Sequence, residues 1–309
     1  MSAQRLDRRG LWVAVGSFVL WGLMPLYWHL LKSVPSMQII AHRIVWSTLL
    51  VAGWLGWKYG RGWFRETLSH PRASWMLALS GGLIAFNWGM YIWAVNAGHV
   101  VETSLGYFIN PLLNVVLGVA LLHERLNRVQ WLSVAIATGG VLWLTLNYGS
   151  FPWIALSLAV SFGTYGLVRK LLGVAPVRGL GVESVYLVLP ALLFLFWGEL
   201  QGESHIVAHG VSASWGWQIM ALLVLGGALT ALPLIGFADA VQRIPFSMVG
   251  VLQYIAPTMQ LLIGVLVFHE PFGRERAIGF TCIWIALAIF AADGVIRSRR
   301  ANAAGIAKG

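Results

Sequence analysis

The sequence predicts an all-α integral membrane protein: ten transmembrane helices arranged as two inverted five-helix repeats, with the N and C termini cytoplasmic. Three observations lead there. The first is composition. The 309 residues are 58% hydrophobic and only 10% charged, with a mean hydropathy of +0.75, whereas a soluble domain carries about 25% charged residues. So few charges cannot solvate so much apolar surface in water, which excludes a soluble enzyme, a disordered chain and a coiled coil. The second is a series of apolar blocks, each close to the roughly 20 residues that a helix needs to cross a hydrocarbon core of about 30 Å. The third is an internal repeat.

In chain order the blocks cover residues 10–31, 38–57, 74–95, 103–122, 129–146, 151–168, 182–197, 215–238, 245–268 and 277–296. The first follows Arg5, Arg8 and Arg9, as a signal peptide would. It is too long for a signal h-region and no A-x-A site follows, so it reads as a retained helix. The seventh is the shortest and carries Glu183 at its start. Short connections hold most of the charge. With the N-terminus inside, seventeen Lys and Arg fall on the cytoplasmic side, three outside, and Arg43 within a span. The positive-inside rule therefore places both ends in the cytoplasm. This dispersal also accounts for the net charge of +10 without a nucleic-acid partner, which would need the charges on one face. The seventeen Trp suit aromatic belts at two interfaces. The single cysteine, Cys282, allows no intrachain disulfide and no thiol cluster for a metal.

The repeat is clearest between residues 104–124 and 250–270. Pro111 meets Pro257, Gly118 meets Gly264, and His123-Glu124 meets His269-Glu270, all at an offset of 146. Gly81-Gly82 and Gly226-Gly227 align at 145; Trp21-Gly22 with Phe162-Gly163, and Val34-Pro35 with Ala175-Pro176, align at 141. The units are residues 1–146 and 151–296, followed by a basic tail at 297–309. Five spans per unit is an odd number, so the second copy enters the bilayer upside down. Inverted repeats about an in-plane axis are a signature of secondary transporters, in which two copies exchange inequivalent conformations around a central cavity. The bland alternative is a duplicated bundle that only scaffolds.

A charge inside the bilayer usually faces a cavity or a partner. His42 and Arg43 sit one turn into the second span, and His42 aligns with Glu183 at an offset of 141. Arg43 either anchors an anionic or strongly polar group or snorkels to the external headgroups. Glu183 reads more simply as a hydrated carboxylate near the cytoplasmic interface, although His42 and Glu183 are the candidate proton-coupling pair. Asn87 and Tyr91 share a helix face at i and i+4. Ser104, Tyr107, Asn110 and Asn114 form a stripe that Pro111 interrupts, freeing backbone carbonyls near Tyr107. Gly250, Gln253, Pro257 and Gln260 repeat that arrangement with Tyr254 beside them. Such stripes either line a midplane site or serve interhelical hydrogen bonds. Trp21 offers an aromatic wall or plain packing. The candidate solute site is therefore Trp21, His42, Arg43, Asn87, Tyr91, Tyr107, Asn110, Gln253 and Tyr254.

Asn127 followed by Gln130 reads as a capping box for the fifth span, with Glu124 just ahead of that helix's positive end. Neither His-Glu turn continues to the H-E-x-x-H of a zinc protease, because Asn127 and Gly273 stand where the second His is needed. No phosphate-binding Gly-Lys loop and no G-x-S-x-G nucleophile elbow occurs. Asp239 and Asp293 lie near cytoplasmic span ends, where carboxylates are usually hydrated.

Several segments together carry a family resemblance: F-V-L-W-G-L-M-P-L-Y-W (18–28), A-H-R-I-V-W-S (41–47), N-W-G-M-Y-I-W-A-V-N (87–96), E-T-S-L-G-Y-F-I-N-P-L-L-N (102–114), H-E-R-L-N-R-V-Q-W (123–131) and L-Q-Y-I-A-P-T (252–258). Over nearly its whole length the chain resembles the EamA family of the drug/metabolite transporter superfamily, and within it the RarD-type permeases. The second His-Glu turn departs from the first, reading H-E-P-F-G-R-E-R without the Gln. The resemblance implies a ten-helix permease of the bacterial inner membrane, in a group named for a link to chloramphenicol sensitivity.

The expected activity is secondary transport of a small organic solute, such as an amino-acid-like metabolite or a chloramphenicol-type drug, with no cofactor, no metal and no enzymatic chemistry. The expected partners are the solute, the lipid bilayer and protons. The chain reads equally as a monomer or a homodimer. Two rivals stand beside this reading. An intramembrane enzyme lacks a nucleophile–base or metal constellation. A sensor or partner-binding protein would bring a soluble domain, and the longest loop, near residues 198–214, is too small for one.

Overall fold

The computed structural model describes residues 7–69, 71–97, 99–147, 151–202, 217–269 and 273–306. Among these residues the chain is all helix: α1 (Arg8–Leu30), α2 (Ser36–Tyr59), α3 (Trp63–Thr67), α4 (Pro71–Asn96), α5 (Val100–Ala120), α6 (Arg128–Leu146), α7 (Trp153–Leu172), α8 (Pro176–Leu200), α9 (Trp217–Arg243), α10 (Phe246–Gln253), α11 (Ile255–Leu266) and α12 (Arg274–Ile306). Eight helical segments among the described residues are long and apolar enough to cross a membrane, with α10 and α11 together making one of them. Leu105–Ala120 of α5 is a shorter apolar stretch.

Local chemistry sets several boundaries. Asp7 caps α1, its carboxylate accepting from the backbone N–H of Arg9 at 2.9 Å and of Gly10 at 3.2 Å. The capping box of Asn127 and Gln130 opens α6. His123 and His269 follow α5 and α11, each with φ of 54°, so the chain leaves both helices through the left-handed region.

Other boundaries differ from the sequence expectation. The seventh stretch, expected at 182–197, lies inside a 25-residue helix beginning at Pro176. Proline is well suited to a first helical position, whereas Arg178 ends the apolar block on that side. The ninth stretch is broken at Tyr254 into α10 and α11. Pro257 has no N–H for the carbonyl of Gln253, so the ladder is interrupted there. Pro111 leaves the same gap at Tyr107, yet α5 runs on as one helix.

The strongest packing joins the two halves of the chain. α2 lies against α8 and α9, α1 against α9 and α11, α4 against α7, α5 against α7 and α10, and α6 against α12. Two glycines permit the closest approaches. A Cβ at Gly227 would come within 2.5 Å of Trp46 and 2.7 Å of the Ser47 backbone, and one at Gly250 within 2.5 Å of the Pro111 carbonyl. At that second crossing the Asn114 amide donates to Gln253 Oε1 at 2.7 Å. The main apolar core gathers around Phe18, Leu55, Tyr165, Leu180, Phe237 and Phe246, while many Leu and Trp remain on the outer surface, as a lipid-facing shell requires.

Candidate solute-binding cavity

A cavity of about 230 Å³ lies where α1, α2, α4, α5, α7, α9 and the α10–α11 break converge. Arg43 supplies its charge. The guanidinium sits between two indoles, 4.8 Å from the Trp28 ring centre and 5.1 Å from that of Trp88. Its Nε donates to Thr230 Oγ1 at 2.8 Å. No carboxylate pairs with it among the described residues, and its Nη groups have no protein acceptor there. Cation–π contacts compensate part of the desolvation of such a charge, and they leave the planar donor fork unspent.

The remaining wall is aromatic and amide. Tyr91 and Tyr107 pack edge to face at 6.0 Å. The Asn110 side chain lines the cavity and is buried, and its Oδ1 has no hydrogen-bond partner. Gln253 uses its Oε1 on Asn114, while its amide N–H groups have no partner among the described residues. The Asn87 amide is already spent on α7, donating at 2.9 Å to both the Leu158 carbonyl and Ser161 Oγ. One end of the cavity is closed by rings. Trp21 meets Phe162 at 5.8 Å, and beyond them Phe237 contacts Phe162 at 5.2 Å, Trp21 at 5.9 Å, Phe18 at 6.3 Å and Tyr165 at 6.2 Å.

Of the residues singled out from sequence, Trp21, Arg43, Asn87, Tyr91, Tyr107, Asn110 and Gln253 line this cavity. Two do not. His42 is 3% exposed and its Nδ1 accepts from Trp46 Nε1 at 3.3 Å, one helical turn further on. Tyr254 is 2% exposed, packs beside Phe108 and Phe280, and donates its hydroxyl to the Phe108 carbonyl at 3.0 Å. Both follow or precede a wall residue directly, and adjacent helical positions diverge by about 100°. Sequence reasoning passed over Trp28, Trp88, Phe162 and Thr230, which also line the cavity. For Phe162 a signal was present, since it aligns with Trp21 in the repeat.

Three further expectations need correction. Glu183 is not a hydrated interfacial group: it is 1% exposed and pairs at 3.3 Å with Arg169, also 1% exposed. Arg43 is therefore not the lone basic residue within the spans. Glu124 does not serve α6; its carboxylate caps α10, accepting from the backbone N–H of Phe246 at 2.6 Å and of Ser247 at 2.9 Å. Glu270 lies outside the described residues. Asp239 and Asp293 are partly exposed, as expected, and also bonded, Asp239 by Arg243 Nε at 2.7 Å and Asp293 by the Asn127 amide at 2.6 Å.

The sequence family described as "EamA-like transporter family" matches residues 8–146 and again residues 151–292. The chain belongs to the EamA-like transporter family. Among its relatives, Protein RarD of Streptomyces exfoliatus is 45% identical over 303 residues, 98% of this chain and 94% of that protein. An uncharacterised transporter of Pseudomonas aeruginosa is 44% identical, covering 95% of this chain and 96% of its own. Protein RarD of Escherichia coli K12 is 39% identical, covering 96% and 98%. A solved crystal structure with 19% identity superposes with a TM-score of 0.66 over 93% of this chain and 98% of its own, which is a likeness of fold. The EamA membership and the apolar helices make this a multi-pass protein of the bacterial inner membrane, of the RarD type and of the membrane-transporter class.

Proposed function

We propose that this EamA protein is a secondary transporter that moves a small organic solute by alternating access between two inverted five-helix repeats. In this reading α1, α2, α4, α5 and α6 form the first unit, and α7, α8, α9, the α10–α11 pair and α12 form the second, giving ten spans with both termini in the cytoplasm. The two family matches support the division. So do the contacts between the units, which have counterparts when the units are exchanged: α1 on α9 corresponds to α4 on α7, α1 on α11 to α5 on α7, and α2 on α9 to α4 on α8.

The observation that carries the proposal is Arg43, a membrane-embedded cation whose donors face a cavity with no acid among the described residues to satisfy them. A solute carboxylate completes it with paired charge-assisted hydrogen bonds. The free Oδ1 of Asn110 accepts from an ammonium or hydroxyl group, and the Gln253 amide donates. Trp21 and Phe162 provide a surface for a ring. The cavity is smaller than the roughly 300–1,000 Å³ of drug-sized pockets, so the solute is of amino-acid size. In the proposed topology most of the wall residues come from the external halves of the helices, with Leu234 and Gln253 just past the midplane. The cavity is then open outward, and the ring cluster of Phe18, Tyr165 and Phe237 is the closed cytoplasmic side.

The test is flux in proteoliposomes, with L-phenylalanine for the carboxylate, ammonium and ring set, and chloramphenicol because a relative in Pseudomonas aeruginosa bears the name Chloramphenicol-sensitive protein RarD. Arg43→Ala and Asn110→Ala each lower flux at least tenfold, about 1.4 kcal/mol or more, without lowering protein yield. Normal flux in both variants contradicts the site.

A further inference from the structure

We propose that Glu183 is a proton-binding site through which a proton is coupled to opening of the cytoplasmic side of the cavity. This rests on the transport reading above and adds the coupled ion and its residue.

The carboxylate is buried among four helices. On α7, Arg169 Nη1 lies 3.3 Å from Glu183 Oε1, and Tyr165 lies beside the carboxylate. On α4, Ser80 donates its hydroxyl to the same Oε1. α2 brings Ser47 and Thr48, and α9 brings Thr230. Arg169 is the charged group that faces Glu183 among the described residues, and Tyr165 is the other titratable one.

The pair is not satisfied as a structural clamp would be. Arg169 Nη2 donates to the Pro176 carbonyl at 2.9 Å, but Arg169 Nε and Glu183 Oε2 are buried without a partner. A buried ion pair holds against desolvation when its remaining atoms are hydrogen-bonded, and here one oxygen and one nitrogen are not. A void of about 10 Å³ adjoins the carboxylate, at the lower limit for one water. The helices are built around the pair. Gly81 packs on Glu183, and a Cβ at Gly179 would fall 1.7 Å from Arg169 Nη1.

Two connections run from this carboxylate to the solute cavity. Trp88, Thr230 and Leu234 line both the cavity and the void, so the wall between them is one side chain thick. Arg43 stacks on that Trp88 and donates to that Thr230. Tyr165, beside Glu183, also stacks on Phe237 in the ring cluster that closes the cavity. A solute engaging Arg43 thus acts on the residues that cover Glu183, and a change at Glu183 acts on the closed end.

The carboxylate takes up one proton and becomes a neutral acid while Arg169 keeps its charge. Loss of the negative partner removes the attraction that draws α8 to α7, and the acid O–H becomes a donor where a carboxylate only accepted. Returning the proton on the other side restores the pair, so one proton moves per cycle.

The experiment uses the full-length protein and two readouts. In difference infrared spectra across a pH change, with no solute, wild type shows a protonated-carboxyl C=O band that Glu183→Gln lacks. An identical band in Glu183→Gln overturns the proposal. In proteoliposomes with L-phenylalanine or chloramphenicol, whichever wild type exchanges, Glu183→Gln keeps exchange at equal pH on both sides and loses accumulation driven by a pH gradient. Retained accumulation overturns the proposal. Because Glu183→Gln leaves Arg169 buried without its partner, the double variant Arg169→Gln/Glu183→Gln is measured alongside, with the same expectation in both readouts. If wild type exchanges neither probe, the transport reading fails, and the infrared band still decides whether Glu183 holds the proton.

Discussion

At the scale of single residues, side chains are placed by what would otherwise go unsatisfied. Arg43 is tolerated in the bundle because two indoles and a threonine hydroxyl take up part of its charge, and its remaining donors explain why a cavity lies beside it. Asp7 shows the same accounting at the exposed start of α1. The backbone N–H of Gly10, joined by Arg9 and by the Arg243 guanidinium at 3.3 Å, holds its carboxyl below the usual carboxylate range. A depressed acid contributes stability above its unfolded value, near pH 4, and loses it as pH falls through the folded value. Thermal unfolding in detergent is therefore expected to show a loss of stability below about pH 4 that is reduced in Asp7→Asn. An unchanged acid limb in that variant would show that the cap and its link to α9 do not contribute. Arg43 and Asn110 were visible in the sequence as polar groups within apolar blocks. His42, singled out for its alignment with Glu183, and Tyr254, singled out beside Gln253, lie off the wall, because periodicity marks a helical stretch more reliably than it marks which of two adjacent positions faces inward.

At the scale of elements, what decides is where a helix end finds its partner. The His-Glu turn after α5 was conspicuous in the sequence, yet its nearest helix along the chain is not the one it serves. Glu124 reaches 122 positions ahead to the first N–H groups of α10 and to Ser247 Oγ, at 2.7 Å. Removing it leaves those donors unsatisfied in a partly buried place. Glu124→Ala is expected to destabilise the protein by about 2 kcal/mol, with Glu124→Gln intermediate, read as a lowered unfolding temperature at constant detergent. Equal stability of Glu124→Ala and wild type would refute the cap. The break at Tyr254 was half legible: Pro257 forecast a weakened ladder, but Pro111 forecast the same in α5, which stays continuous. Proline removes a hydrogen bond in both places, and the surrounding packing determines whether the axis gives way.

At the scale of the whole molecule, the all-helical, membrane-spanning character was legible because a bilayer demands long apolar blocks, and the proposed repeat rests on Gly and Pro landmarks in register. What could not be read was contact across the two units. Nor could the Arg169–Glu183 pair, which joins neighbouring helices α7 and α8, because a count of basic residues by loop assigns any arginine near a helix end to the interface. The interleaving of units, in which each helix packs chiefly on helices of the other half, emerges only in three dimensions. It gives the account its mechanical content, since a shift of one unit against the other must reshape the cavity at Arg43.

The most direct measurement exploits Cys282 as the one cysteine in the chain. In a Cys282→Ser background carrying Asn110→Cys at the cavity wall, a membrane-impermeant maleimide is applied to one side of sealed vesicles at a time. The account predicts labelling from the outer face in right-side-out vesicles and from the cytoplasmic face in inverted ones, with prior outer labelling abolishing the inner. Labelling from neither face, or from a single face under every condition, would contradict a cavity that opens to alternate sides.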